Sequence, residues 1–310
     1  MSEIIQGSVT LNEGLSQISL IFVYAAMALY TIAFLLFAGH FAGRASADPE
    51  ATAKKINFER VAVGLMIVAA ISHGIGVVLR GISASRVPWA NMYEFSISGS
   101  FVIVAIFILA LFFVTEIRVI AVMVTGFALL TLGAATTLFY VQVKTLMPAL
   151  QSYWLVIHVT VAVFATAFFN IAAALSVAYL FKTSPWFAGR KGWLIAAIKR
   201  ILAVFPKEKR LEKLSYRFNI IGFILWTFTL IAGAIWAERA WHRYWGWDTK
   251  EVWTFIIWTI YAGYLHANAT RGWTGRRSAW LALVGFAAVI FNFTIVNLFF
   301  KGLHVYSGLK

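Results

Sequence analysis

The chain has 310 residues, 61% hydrophobic and only 12% charged, with a formal net charge of +14 and no cysteine. That composition excludes a soluble domain and indicates an integral membrane protein. Without cysteine there is no disulfide, thiolate metal centre or cysteine nucleophile. GxxxxGK(S/T), HExxH and GxSxG are also absent, so ATP hydrolysis, zinc proteolysis and serine hydrolysis have no local support.

Crossing a bilayer takes about 20 helical residues, and eight apolar runs approach or exceed that length: Ile18 to Ala38, Val61 to Leu79, Phe95 to Val114, Ile117 to Leu138, Trp154 to Phe181, Ile220 to Ala237, Val252 to Ala269 and Ala279 to Phe300. The chain therefore reads as all-α, one polytopic transmembrane domain over residues 1–310 with about eight spans. The first run is too long for the core of a signal peptide, and Met1 to Gln17 carries no Lys or Arg. It reads as a retained helix whose N-terminus lies on the outer, positive side, and eight alternating spans then place both termini there. Basic residues agree with this orientation: 18 fall on inner segments and eight on outer ones. Ten of the inner ones lie between Lys182 and Arg217. Residues 182–217 thus form a basic inner-face loop, in which KEKRLEKLSYR is expected to lie on the membrane surface as an amphipathic turn or helix. The charge signals topology and anionic membrane lipids, not nucleic acid.

Between the sixth and seventh spans the sequence turns polar and aromatic, AWHRYWGWDTKEVW. Trp236, Trp241, Trp245, Trp247, Trp253 and Trp258 are six of the chain's 13 tryptophans within 23 residues. A membrane-interface belt accounts for one or two at a helix end. This outer-face loop, residues 238–251, also interleaves Glu238, Arg239, Arg243, Asp248, Lys250 and Glu251 with the rings. Flat π faces rimmed by charge suit a large planar ligand with anionic edges, and a porphyrin with two propionates fits that description.

Porphyrin iron takes axial ligands from protein, commonly His. His158 lies about one turn into the fifth span from its outer end, and His304 follows the outer end of the eighth, so both share a level with the tryptophan loop. His266 is deeper. Fourteen residues past Val252, it sits ~21 Å below the outer boundary of a core ~30 Å thick, on one helical face with Trp258 and Ala262 and beside Gly263. An ionisable residue at that depth is a functional candidate. By the same arithmetic His73 lies ~18 Å from the inner side, against ~9 Å for His266, and His40 lies at or beyond the inner boundary. A tilted helix, a shifted boundary or a ligand from a second subunit would each supply the opposite ligand.

WAERAWHRYWGWDTKEVW, with YLH after it, resembles the WWD signature of haem-handling membrane proteins, and the whole chain resembles the CcsA (ResC) family of the system II cytochrome c synthase. GISASRVPWANMYEFS (Gly81 to Ser96) is similar to that family's Pro-x-x-Asn-x-Tyr-Glu segment, and FNFTIVNLFFKGLHVY (Phe291 to Tyr306) to its terminal Asn-rich span. The resemblance implies a haem lyase. Together with the partner subunit CcsB (ResB), it would move haem b to the outer face and attach its vinyl groups to the two Cys of a CxxCH motif in apocytochrome c. It further implies His158 and His304 as outer axial ligands and His266 as one ligand of a haem within the membrane. The WWD loop residues Trp236, Arg239, Trp241, Arg243, Trp245, Trp247, Asp248 and Trp253 would hold the outer haem. The setting would be a bacterial cytoplasmic (inner) membrane, or a thylakoid membrane for a plastid-encoded chain.

This sequence departs from the family pattern twice: the usual Trp-Gly reads Trp241-His242, and the usual Asp-Pro-Lys-Glu reads Asp248-Thr249-Lys250-Glu251. His242 is thereby an alternative iron ligand, and the lost Pro frees an N–H and a fixed φ. No residue is identified as an acid or base. Two alternatives share the platform: CcmC-like haem export or presentation without ligation, and a transporter of another amphipathic anion. The six or so spans of CcmC-like proteins are fewer than this chain has, and a non-haem transporter leaves the histidines unexplained.

Overall fold

A computed structural model describes residues 11–45, 56–144, 151–187, 189–300 and 302–303. Long helices occupy the apolar runs, and no strand occurs among the described residues. They are α1 (Glu13–Ala45), α2 (Ile56–Ser83), α3 (Met92–Phe113), α4 (Ala121–Leu138, entered through the 3₁₀ turn Thr115–Ile120) and α5 (Tyr153–Lys182). After a short helix, α6 (Trp193–Ala203), come α7 (Glu208–Trp241), α8 (Thr249–Arg271) and α9 (Arg276–Phe291), which runs on through a π turn (Asn292–Val296) to Phe299. Seven are long and apolar enough to cross a membrane. α8, with 23 residues, is long enough at ~1.5 Å per residue but carries more polar side chains.

Helix ends follow local chemistry. Asn12 accepts from the Leu15 N–H at the start of α1, Asn91 from Glu94 N–H at α3, and Ser152 from Trp154 N–H at α5. α8 ends at Gly272 in the left-handed region, φ +56°.

The KEKRLEKLSYR run differs from expectation. Lys207 is the N-cap and Glu208 to Arg217 form the first turns of α7, because Leu211, Leu214 and Ser215 continue the buried stripe of that helix. The separate amphipathic helix is α6, upstream, ended before Pro206, which a helix interior does not accommodate. It buries Ile195 and leaves Trp193 83% exposed.

The most extensive packing is α1 along α2 and α5 along α7. Both pairs use small residues and buried hydroxyls, as helices packed in lipid do. Ser19 Oγ donates to Gly76 O and Ser72 Oγ to Phe22 O between α1 and α2. Ser215 Oγ donates to Ala172 O between α7 and α5, where Gly222 faces the Phe169 ring closely enough that a Cβ would stand 2.7 Å from it. One large core joins α1 to α5 with the start of α7, and a smaller aromatic one joins α5, α7, α8 and α9.

Candidate functional site

The tryptophan loop is built by the two helix ends that flank it. α7 stops where His242 enters the left-handed region, φ +56°, and its N–H donates to Glu238 O at 2.7 Å. That conformation favours Gly, the residue the family pattern has there. α8 starts at Asp248 with a reciprocal capping box: Asp248 accepts from Glu251 N–H, and Glu251 Oε2 accepts from Asp248 N–H at 3.1 Å and Gly246 N–H at 2.8 Å. Thr249 is then the first helical residue, the position where Pro is favoured. Both departures from the pattern therefore fall where backbone conformation is decided.

Beneath the loop, α3, α4, α5, α7, α8 and α9 line a mainly apolar cavity of about 600 Å³, within the ~300–1,000 Å³ usual for ligand sites. His158 of α5 and Trp236 of α7 line it, rings nearly parallel at 6.0 Å and 13°. His158 Nδ1 lies 2.9 Å from Thr229 O. A carbonyl only accepts, so Nδ1 carries the proton and Nε2 is the basic nitrogen. Orientation by a backbone carbonyl in this way is typical of an iron-ligating His. The approach depends on Gly233, where a Cβ would stand 2.8 Å from His158 Cε1.

The predicted loop residues divide by what they touch. Trp245 lines the cavity. Trp241 packs edge-on against Trp236 at 4.8 Å, and Trp253 lies on Phe291 at 4.3 Å, both bracing the walls. Trp247 is 76% exposed, meets Trp245 edge-to-face at 5.9 Å and has φ +58°. Arg239 stacks over Tyr153 at 5.4 Å and exposed Arg243 lies against Gly246, so neither lines the cavity. Asp248 Oδ1 accepts from Leu303 N–H at 3.3 Å, and a side chain at Gly302 would run into its carboxylate. His304 itself lies outside the described residues; the two residues before it are docked on the loop.

The sequence places Lys250 in the charged rim of the loop but not among the residues expected to hold the haem. Lys250 is the only cation lining the cavity among the described residues, and its Nζ donates to Asn292 O at 2.9 Å, in the π turn, and to Asn297 Oδ1 at 2.8 Å. The available signal was its position: a cation in the first turn of α8 opposes the helix dipole.

His266, His73 and His40 do not join this site. His266 is exposed on α8, and Gly263 beside it has nothing within 4 Å of a Cβ position, while Trp258, two turns earlier, is tied to α7 by a 3.0 Å bond from Nε1 to Thr227 Oγ1. His73 is fully buried, with Nδ1 3.4 Å from Tyr30 Oη and edge-on contacts to Tyr30 and Phe101, so it does not meet His266. His40 lies 3.8 Å from Glu59. The Asn-x-Tyr-Glu segment both lines the cavity, through Asn91 and Met92, and braces the helices around it. Buried Glu94 pairs with Arg80 at 3.1 Å and Arg86 at 2.5 Å, Arg80 lies over Tyr93, and Arg80 also donates to Ser16 Oγ and Val141 O, tying α1, α2, α3 and the end of α4.

Residues 89–304 match the family model described as Cytochrome C assembly protein. Similar relatives include the cytochrome c biogenesis proteins CcsA of Prochlorococcus marinus, 34% identical over 78% of this chain and 83% of that one, and of Guillardia theta, 34% identical over 83% and 89%. CcsA of Synechococcus elongatus is 34% identical over 74% and 81%. Among solved structures, a cytochrome c haem lyase, CcmF, superposes with a TM-score of 0.65 at 16% identity over 94% of this chain. The chain spans about half the length of that neighbour (48%), which shares the fold. It is a multi-pass membrane protein of cytochrome c biogenesis, and it belongs to the CcsA family of cytochrome c assembly proteins.

Proposed function

We propose that the protein holds haem b as substrate in the cavity under the tryptophan loop and, with CcsB (ResB), attaches it to the CxxCH cysteines of apocytochrome c. The observation that carries this reading is His158: it lines a cavity of ligand size, its tautomer is set by Thr229 O, and Gly233 makes room for it. His304 is the opposite axial ligand, delivered by the strap that Asp248 anchors at Leu303. Trp236 and Trp245 flank the ring, while Trp241, Trp247, Trp253, Arg239 and Arg243 shape the loop around it.

Thioether formation adds each S–H across a vinyl C=C: sulfur bonds the carbon next to the ring, the terminal carbon gains a proton, and no net oxidation occurs. No cysteine of this chain competes, because there is none. Its contribution is positional, holding the ring so that thiol and vinyl meet in one orientation. His266, exposed beside open Gly263, is one ligand of a second haem bound where CcsB supplies the other. The site lies on the outer face of a bacterial inner membrane or a thylakoid membrane, with both termini on that side.

An optical spectrum of the purified protein, with and without co-expressed CcsB, tests this. A low-spin haem spectrum altered by His158→Ala and His304→Ala, with a CcsB-dependent fraction lost in His266→Ala, is the expected result. Colourless wild type under both conditions, from cells making haem normally, would sink it in favour of another amphipathic anion.

A further inference from the structure

Lys250 is a cation in the cavity wall that makes no close ion pair among the described residues, and Asp248 acts on it from beyond 4 Å. That carboxylate is engaged in capping α8 and holding Leu303. Lys250 is half-buried, and a charge partly withdrawn from water is costly unless it is paired; its first-turn position adds an unfavourable dipole term. Its two acceptors, Asn292 O and Asn297 Oδ1, are both neutral. An ammonium has three N–H donors, so one remains for a ligand. Were the residue needed only to satisfy the carbonyl of the π turn, a neutral donor would do so without the desolvation cost. π turns recur at functional sites, and here the turn holds the ammonium in the lining of the same cavity as His158.

We propose that Lys250 binds a carboxylate of the cavity's ligand and thereby sets which edge of that ligand faces which wall. On the haem reading above, on which this rests, the partner is a propionate, and the vinyl-bearing half of the ring is turned away from Lys250. Arg239 and Arg243, the cations the sequence nominates for this task, serve the loop exterior instead. Lys250 is in this sense a specificity residue: it selects one in-plane orientation of a ring that His158 alone would leave free to rotate.

The test compares haemin with haemin dimethyl ester, whose carboxylates are masked, in optical titrations of the purified full chain as wild type, Lys250→Met and Lys250→Arg. Wild type is expected to prefer the free acid by about tenfold to a hundredfold, the range of a hydrogen bond between charged groups. Lys250→Met abolishes that preference and Lys250→Arg retains most of it. Because the ratio is taken within each protein, partial loss of folded material does not imitate the result, and the wild-type preference stands as a measurement of its own. A wild type that binds both forms equally, or a Lys250→Met protein that discriminates as well as wild type, overturns the proposal while leaving the haem reading intact. A wild type that binds neither overturns both.

Discussion

His158 and His266 stand in opposite surroundings, and a glycine beside each marks the difference. Around His158 the cavity is lined by six helices, the imidazole is held by Thr229 O and stacked on Trp236, and Gly233 is pressed against the ring. Around His266 the helix face is exposed and Gly263 meets nothing within 4 Å. The first has its orienting contacts in place; the second, on the function proposed above, is the half of a site that CcsB would complete. Gly233 thus makes room for a neighbour already present, while Gly263 lies open.

The same change made beside each histidine should have opposite consequences. Gly233→Leu should displace His158 and cut haem retained in the outer cavity at least tenfold, with an overpacking cost of about 1–3 kcal/mol. Gly263→Leu should leave stability within about 0.5 kcal/mol, as an exposed substitution does, yet remove the CcsB-dependent haem fraction. Melting curves and spectra of the two variants with CcsB decide it, and equal destabilisation by both would end the distinction.

A smaller effect separates the loop from the histidine it covers. Glu251→Ala removes the acceptor of the Gly246 and Asp248 N–H groups, costing about 1–2 kcal/mol of local stability. Amide exchange should accelerate in residues 246–251, and outer haem occupancy should fall while the His266-dependent fraction stays. Loss of both fractions together would show that the loop supports the whole bundle.

Much of this was legible in the sequence for physical reasons. Apolar runs of bilayer length declare the helices, and the His and Trp read at one depth include His158, Trp236 and Trp245, which line the cavity. α6 was missed because its period is helical but its length, 11 residues, is half a span, and the neighbouring charges of KEKRLEKLSYR masked the stripe that Leu211 and Leu214 share with α7. Arg239 and Arg243 were nominated over Lys250 because sequence shows charge but not direction. Only the fold reveals that Arg239 turns to Tyr153 while Lys250, at the first turn of α8, reaches the π turn of α9. The carbonyl of Thr229 is invisible to any side-chain pattern.

The smallest expected effects fall at the two departures from the family pattern, and they sharpen the assignment of iron ligands. Thr249→Pro places Pro at the first helical position, where its fixed φ suits the helix and no intrahelical N–H bond is lost, and should stabilise by about 0.4–1 kcal/mol. His242→Gly relieves a side chain from φ +56°, a gain of less than about 1 kcal/mol once the greater freedom of unfolded Gly is set against it. The two act on the ends of different helices, so their effects should nearly add, read as a rise in melting temperature of the double variant. The spectrum is the more informative half of the measurement. With His158 and His304 as ligands, His242→Gly leaves the low-spin haem bands where they are. A shift toward high-spin absorption in that variant, at undiminished stability, would make the exposed imidazole at the end of α7 an iron ligand and would remove His304 from the outer pair.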